Sequence, residues 1–179
     1  MTLEGSRRVY SGRVISLDID TVAFPNGTVG ELEMVRHSGA SAVVPFLDDP
    51  AGDDPRILLI RQFRHASDGY LLEIPAGRLD EGESPESCAA RELREETGYS
   101  AAKTEHLASI FTTPGFTDER IHLFMATGLS PGSQALESDE ILDLYPTPLS
   151  EALEGVSTGK IIDAKSMIGI LLSARRIRV

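Results

Sequence analysis

Residues 77–99 read GRLDEGESPESCAARELREETGY. The stretch runs from a glycine-rich acidic loop into a segment with helix signals at both ends. Ser84 is a plausible N-cap, Pro85 takes the favoured first helical position, and Gly98 suits the C′ site. These signals predict a helix over Pro85–Thr97. Glu92, Glu95 and Glu96 stand three and four residues apart, so they share one face, with Cβ atoms ~5–6 Å apart. Ala89, Ala90 and Leu93 are assigned to the opposite, core-facing side. Two like charges ~4 Å apart repel by ~4 kcal/mol at an effective dielectric of ~20. Either a cation or solvent must relieve the three carboxylates.

Working outward, the flanking sequence reads mostly as strands. Residues 7–24 alternate apolar and polar, as one or two strands would. Pro25-Asn26-Gly27 then marks a hairpin turn, with a return strand over Thr28–His37. Ser41–Leu47 and Arg56–Phe63 are apolar enough to be buried strands, with Tyr70–Ile74 a shorter one leading to the acidic loop. Beyond the helix, strands are expected at Lys103–Phe111, Arg120–Thr127 and Ile141–Tyr145. Thr147-Pro148 opens a short helix to about Glu154. Asp163 caps a last helix whose apolar face holds Met167, Ile168, Leu171 and Leu172. Strands around a buried helix, with helices late in the chain, define a mixed α/β class.

Composition bounds the function. The chain has 179 residues and carries 28 acidic against 17 basic side chains, a net charge of −11. That excludes a broad basic footprint for nucleic acid or anionic membrane, so neither is an expected partner. It still permits a phosphate ligand, because a bound divalent cation inverts the local charge. With a single cysteine, Cys88, no intramolecular disulfide or CxxC zinc site can form. The N-terminus lacks the apolar core of a signal peptide and no run approaches a membrane span, so a soluble cytoplasmic protein is expected.

Gly77, Glu83, Arg91-Glu92-Leu93, Glu95-Glu96 and Gly98-Tyr99 together resemble the complete Nudix box, with every fixed position filled. The resemblance implies an α/β/α sandwich with a mixed central sheet, and a hydrolase cleaving a nucleoside diphosphate linked to another group. Mg²⁺ is the implied cofactor, with Mn²⁺ able to substitute. Its implied ligands are Glu92 and Glu96, joined by Glu95 and the backbone carbonyl of Ala76. Gly77, Glu83, Arg91 and Gly98 are the implied structural members of the box. The chemistry agrees, since Mg²⁺ prefers hard oxygen ligands and activates water beside phosphoryl groups.

Three features outside the box resemble the ADP-ribose pyrophosphatase group. Pro114 lies fifteen residues after Tyr99, within a TTPGFTDE loop that also offers Gly115 and Phe116 to the substrate. Arg64 occupies the position expected to meet the phosphates, where a guanidinium can bind in bidentate fashion. The loop Leu136–Glu140 sits where these enzymes carry the catalytic base: Glu140 is the first choice, Glu137 the next, Asp139 the third. The resemblance further implies a small N-terminal sheet, residues 1–38, exchanged across a homodimer and preceding a hydrolase domain of residues 39–179. Tyr10 and Phe24 are the candidates to stack on adenine, as the chain has no tryptophan. The expected reaction is hydrolysis of ADP-ribose to AMP and ribose 5-phosphate. GDP-mannose, ADP-glucose, or a non-catalytic ADP-ribose sensor are the alternatives.

Overall fold

The computed structural model describes residues 1–136 and 141–177. In chain order the elements are β1 (Thr2–Ser11), β2 (Ile15–Ala23), β3 (Val29–His37), β4 (Ala40–Pro45), β5 (Arg56–Arg64), β6 (Gly69–Glu73), β7 (Ala76–Arg78) and α1 (Pro85–Thr97). Then follow β8 (Tyr99–Phe111), β9 (Arg120–Pro131), β10 (Leu142–Pro148), α2 (Leu149–Thr158) and α3 (Ala164–Ile177).

The central sheet has the order β7-β4-β9-β8, with β4 and β9 parallel and the other neighbours antiparallel. Side chains alternate across a strand, and β4 uses both faces. Val43 packs with Ala89, Leu93, Phe124 and Ala126 beneath α1. Ala42 and Val44 pack with Leu123, Met125, Ile170 and Ala174 beneath α3. A strand covered on both sides reads as a continuous apolar run, which is why the segment 41–47 looked buried. The result is an α/β/α sandwich with a mixed central sheet, as expected. A second sheet, β10-β5-β6, is antiparallel and contributes Leu59 and Ile57 to the α3-side core.

The third sheet is the antiparallel meander β1-β2-β3. The stretch 7–24 proves to be two strands, and β1 starts already at Thr2. The turn at Pro25-Asn26-Gly27 closes with Phe24 N–H donating to the Thr28 carbonyl at 2.8 Å. Asp18 and Asp20 of β2 are buried and paired with Arg8 on β1 and Arg36 on β3. β1 is solvent-exposed along its whole length. The 112–119 loop leans on this sheet: Val35 N–H donates to the Phe116 carbonyl (2.8 Å) and Asp118 N–H to the Val35 carbonyl (3.2 Å).

Several expectations need correction. Ala90 is exposed and Cys88 is buried in its stead, because Ala90 shares its helical face with the outward Ser87 and Arg94. The acidic face is not opposite the core: Glu92 and Glu96 are themselves buried. Leu171 is 49% exposed, one helical step off the stripe of Ile170 and Ala174. Thr147 and Pro148 end β10, and α2 begins only at Leu149. Nothing local marks β7; its pairing to β4, Ser41 opposite Gly77, makes it a strand. Among the described residues no helix is long and apolar enough to cross a membrane.

Candidate active site

α1 forms where its sequence signals place it. Ser84 is extended at the N-cap and its Oγ accepts from Ser87 N–H at 3.1 Å. Gly98 closes the other end with φ of 76°, a conformation that an L side chain resists, and its N–H donates to the Arg94 carbonyl. The helix presents Glu92, Glu95 and Glu96 to a cavity of about 360 Å³ that also takes in Gln62, Arg64, Ala76, Gly77, Arg78 and Arg91.

The carboxylates are reconciled by one guanidinium. Arg91 donates from Nε and Nη2 to Glu83 (3.0 and 2.9 Å), and from Nη1 to Glu92 (2.6 Å) and Glu95 (3.1 Å). It also donates from Nη2 to the Arg78 carbonyl at 3.0 Å and toward Cys88 Sγ at 3.6 Å. These bonds raise the Arg91 pKa further, led by those to Glu83, and hold the Glu83 carboxyl below its ordinary range. Glu83 also accepts from Asp80 N–H at 3.2 Å, so it ties the acidic loop to the helix. The crowding seen in the sequence is thus relieved at Glu92 and Glu95 by a cation within the chain, while Glu96 takes a backbone N–H.

Glu96 is 1% exposed and its Oε2 accepts the Ala76 N–H at 2.9 Å. Gly77 has a steric reason to lack a side chain. A Cβ there would stand 1.9 Å from Glu92 Oε1, so the carboxylate lies directly against the strand. Cys88 is buried with its thiol directed at the Gly77 and Arg78 carbonyls (3.5 Å each). Burial pushes that thiol up to about 11, which removes it as a nucleophile.

On the facing side Arg64 ends β5. Its Nε and Nη2 grip Glu73 at 2.9 and 2.8 Å. Burial alone would push the Glu73 carboxyl up, but Arg64 and Lys165 outweigh it and hold it below its ordinary value. Glu73 and Lys165 were missed by sequence reasoning. Glu73 lies within the LLEIPAG run, which reads as strand, and Lys165 has no local signal at all.

The structure therefore gathers Arg64, Ala76, Gly77, Arg91, Glu92, Glu95 and Glu96 at one cavity, with Glu83 behind Arg91. Pro114, Gly115 and Phe116 are exposed and do not line it; Thr112, Thr113 and Glu119 of the same loop line an adjoining cavity of about 450 Å³ that shares Arg64, Ala76 and Gly77. Glu137, Asp139 and Glu140 lie outside the described residues.

The donor set suits a hard divalent cation. Among the described residues no three acidic, histidine or cysteine side chains close into a ready-made cage. Mg²⁺ does not require one, since it keeps several waters and binds through one or two carboxylates plus substrate phosphates. Two buried carboxylates beside a strand backbone, Glu92 and Glu96, meet that requirement.

The NUDIX domain signature matches residues 37–165. The "Methanol dehydrogenase activator" of Bacillus methanolicus is 41% identical over 167 residues, 92% of this chain and 88% of that one. The "ADP-ribose pyrophosphatase" of Bacillus subtilis is 39% identical over 165 residues, 91% and 86% of the two chains. The "GDP-mannose pyrophosphatase" of Cronobacter sakazakii is 43% identical over 122 residues, 63% of each. A crystal structure described as an "ADP compounds hydrolase" superposes with a TM-score of 0.84 over 99% of this chain and 94% of that one, at 23% identity, and so shares the fold. The chain belongs to the Nudix family, and within it to the pyrophosphohydrolases.

Proposed function

We propose that this enzyme hydrolyses ADP-ribose to AMP and ribose 5-phosphate with Mg²⁺, for which Mn²⁺ can substitute. The observation that carries the reading is the pairing of two unlike walls across one cavity. α1 offers hard anionic oxygens, and Arg64 offers a fixed guanidinium opposite. A nucleoside diphosphate sugar with its metal needs both.

Glu92, Glu96 and the Ala76 carbonyl would hold the metal, with Glu95 as a further ligand. Once bound, a divalent cation would supply charge neutralisation at the phosphoryl oxygens and a water of lowered pKa. Arg91 and Glu83 keep the carboxylates in register with the loop. Arg64 orients the pyrophosphate for in-line attack by water. A carboxylate of the 136–140 loop, Glu140 or else Glu137, accepts the proton. Leu142, which follows that loop closely, pairs with Gln62 in the cavity wall. Pro114, Gly115 and Phe116 contribute to the substrate's surroundings in this reading.

Residues 1–38 serve as the dimerising unit of a cytoplasmic homodimer, exchanged between protomers and completing the adenosine pocket. The support is an edge strand, β1, exposed throughout and carrying Leu3, Val9 and Tyr10 at more than half exposure. Gel filtration should give a particle of twice 19.4 kDa; a compact single-chain particle overturns the dimer.

GDP-mannose or ADP-glucose is the second reading, favoured for GDP-mannose by the Cronobacter sakazakii relative. A panel of nucleoside diphosphate sugars, scored for released phosphomonoester with Mg²⁺ and with Mn²⁺, separates the two. ADP-ribose should give the highest kcat/KM, and no preference for it over its congeners refutes the assignment.

A further inference from the structure

Glu73 closes β6 beneath the cavity and is 1% exposed. Three donors converge on its carboxylate. Arg64 takes both oxygens as a fork, and Lys165 Nζ approaches Oε2 at 2.5 Å. Lys165 comes from the first turn of α3, its side chain is 11% exposed, and it also contacts Asp163 Oδ2 at 3.0 Å. Asp163 accepts the Ser166 N–H (3.0 Å) and hydroxyl (2.5 Å). Ser166 Oγ in turn accepts the Ile74 N–H at 2.8 Å. The chain of contacts begins and ends on adjacent residues, Ile74 and Glu73, and so clamps the start of α3 onto the strand that carries Glu73.

This arrangement governs how Arg64 faces the cavity. A guanidinium has five N–H donors. Nε–H and one Nη2–H are spent on Glu73, which leaves the Nη1 edge for a phosphate. The Arg64 side chain is 40% exposed, and the carboxylates of Glu92, Glu95 and Glu96 line the same cavity as competing anions. A fork is rigid only if its mount is rigid. Lys165 is the second cation on that mount and the one that ties it to α3.

We propose that Lys165 is a positioning residue, acting through Glu73 to hold the Arg64 guanidinium toward the substrate's phosphates. The inference rests on the reading of Arg64 as a phosphate ligand. A merely structural lysine would stabilise α3 and leave binding unchanged in a folded variant.

The test compares Lys165→Met, Lys165→Arg, Arg64→Ala and the Lys165→Met/Arg64→Ala double variant on whichever nucleoside diphosphate sugar the wild type cleaves best. Lys165→Met should raise KM about tenfold, the scale of one charge-assisted hydrogen bond, with kcat within about twofold. The double variant should bind no worse than Arg64→Ala alone, and Lys165→Arg should recover most of the loss. Additive losses, or an unchanged KM, overturn the proposal. A second readout needs no substrate. The Arg64 Nε–H signal in a ¹⁵N NMR spectrum, identified by its absence in Arg64→Ala, should exchange with solvent at least about tenfold faster in Lys165→Met, since its carboxylate partner is no longer anchored. Unchanged exchange overturns the proposal whatever the substrate proves to be. Absent turnover of every nucleoside diphosphate sugar instead refutes the substrate reading, and the exchange rate still decides the role of Lys165. Should Lys165→Met not fold, Lys165→Leu likewise removes the ammonium from Glu73 and is read by the same exchange measurement.

Discussion

The two walls of the cavity solve opposite electrostatic problems. On α1 one cation, Arg91, is divided among Glu83, Glu92 and Glu95. Facing it, one carboxylate, Glu73, is divided between Arg64 and Lys165. The first wall carries more carboxylates than cations, and the second leaves the Nη1 edge of Arg64 outside its fork to Glu73. A site built from balanced pairs would be more stable and would have nothing left for a ligand. The imbalance on each side is complementary to one half of a metal–pyrophosphate complex. Each imbalance is also braced from behind, by the acidic loop through Glu83 and by α3 through Lys165.

The contrast can be broken one wall at a time. The largest effect should come from Glu96→Gln, which keeps the shape and the Ala76 hydrogen bond but removes a charge proposed to hold the metal. Turnover should fall by roughly a hundredfold or more, with weakened Mg²⁺ binding by calorimetry and little change in melting temperature. Unchanged turnover would refute the metal assignment to α1. Next is Gly77→Ala, whose Cβ would fall 1.9 Å from Glu92 Oε1. Strand and carboxylate are both pinned, so the cost should be about 3 kcal/mol, read from urea melts, with loss of activity.

On the donor wall, Glu73→Gln leaves Arg64 without its anion and Lys165 with Asp163 alone. The cost at neutral pH should be about 2 kcal/mol, below the ~3–5 of a fully buried pair, because the Arg64 side chain is 40% exposed and can turn to water. The same variant carries a pH signature. The folded Glu73 carboxyl lies below its ordinary value of 4.5, so the unfolded chain protonates first as pH falls. The stability it contributes is therefore present above about pH 4.5 and is lost as pH falls through the lower folded value. Urea melts between pH 6 and 3 should show a shallower decline for Glu73→Gln than for wild type. The part of the slope owed to Glu83, shifted in the same direction, should remain. The smallest effect belongs to Ser84→Ala, which removes the α1 N-cap for about 1 kcal/mol and leaves both walls charged as before. A large activity loss there would mean that the acidic wall depends on helix fraying more than on Arg91.

Legibility in the sequence followed the range of the interactions. The limits of α1 were readable because Ser84, Pro85 and Gly98 act on their own neighbourhood. Glu92, Glu95 and Glu96 were readable as one face because their spacing is helical, and the remaining box residues through their resemblance to the Nudix pattern. The orientation of α1 was not: Ala90 and the buried Glu92 and Glu96 depend on which stripe the central sheet covers. β7 was invisible because three residues around a glycine become a strand only when β4 supplies the hydrogen bonds. The exposed positions of Pro114 and Phe116 follow from a loop that bridges to β3, a contact spanning 81 residues between Val35 and Phe116.

The sequence by itself determined that residues 79–98 form an acidic loop and capped helix with three carboxylates in register, because capping and helical periodicity are local. It also determined the mixed α/β class and the need for something to offset those charges. The tertiary structure alone decided what offsets them and where they point. Arg91 is shared among three carboxylates, Gly77 makes room for Glu92, and Glu73 joins β5, β6 and α3 through Arg64 and Lys165. Charges separated by 92 residues, as Glu73 and Lys165 are, meet only through the packing of a helix against a sheet, and no local pattern encodes that meeting.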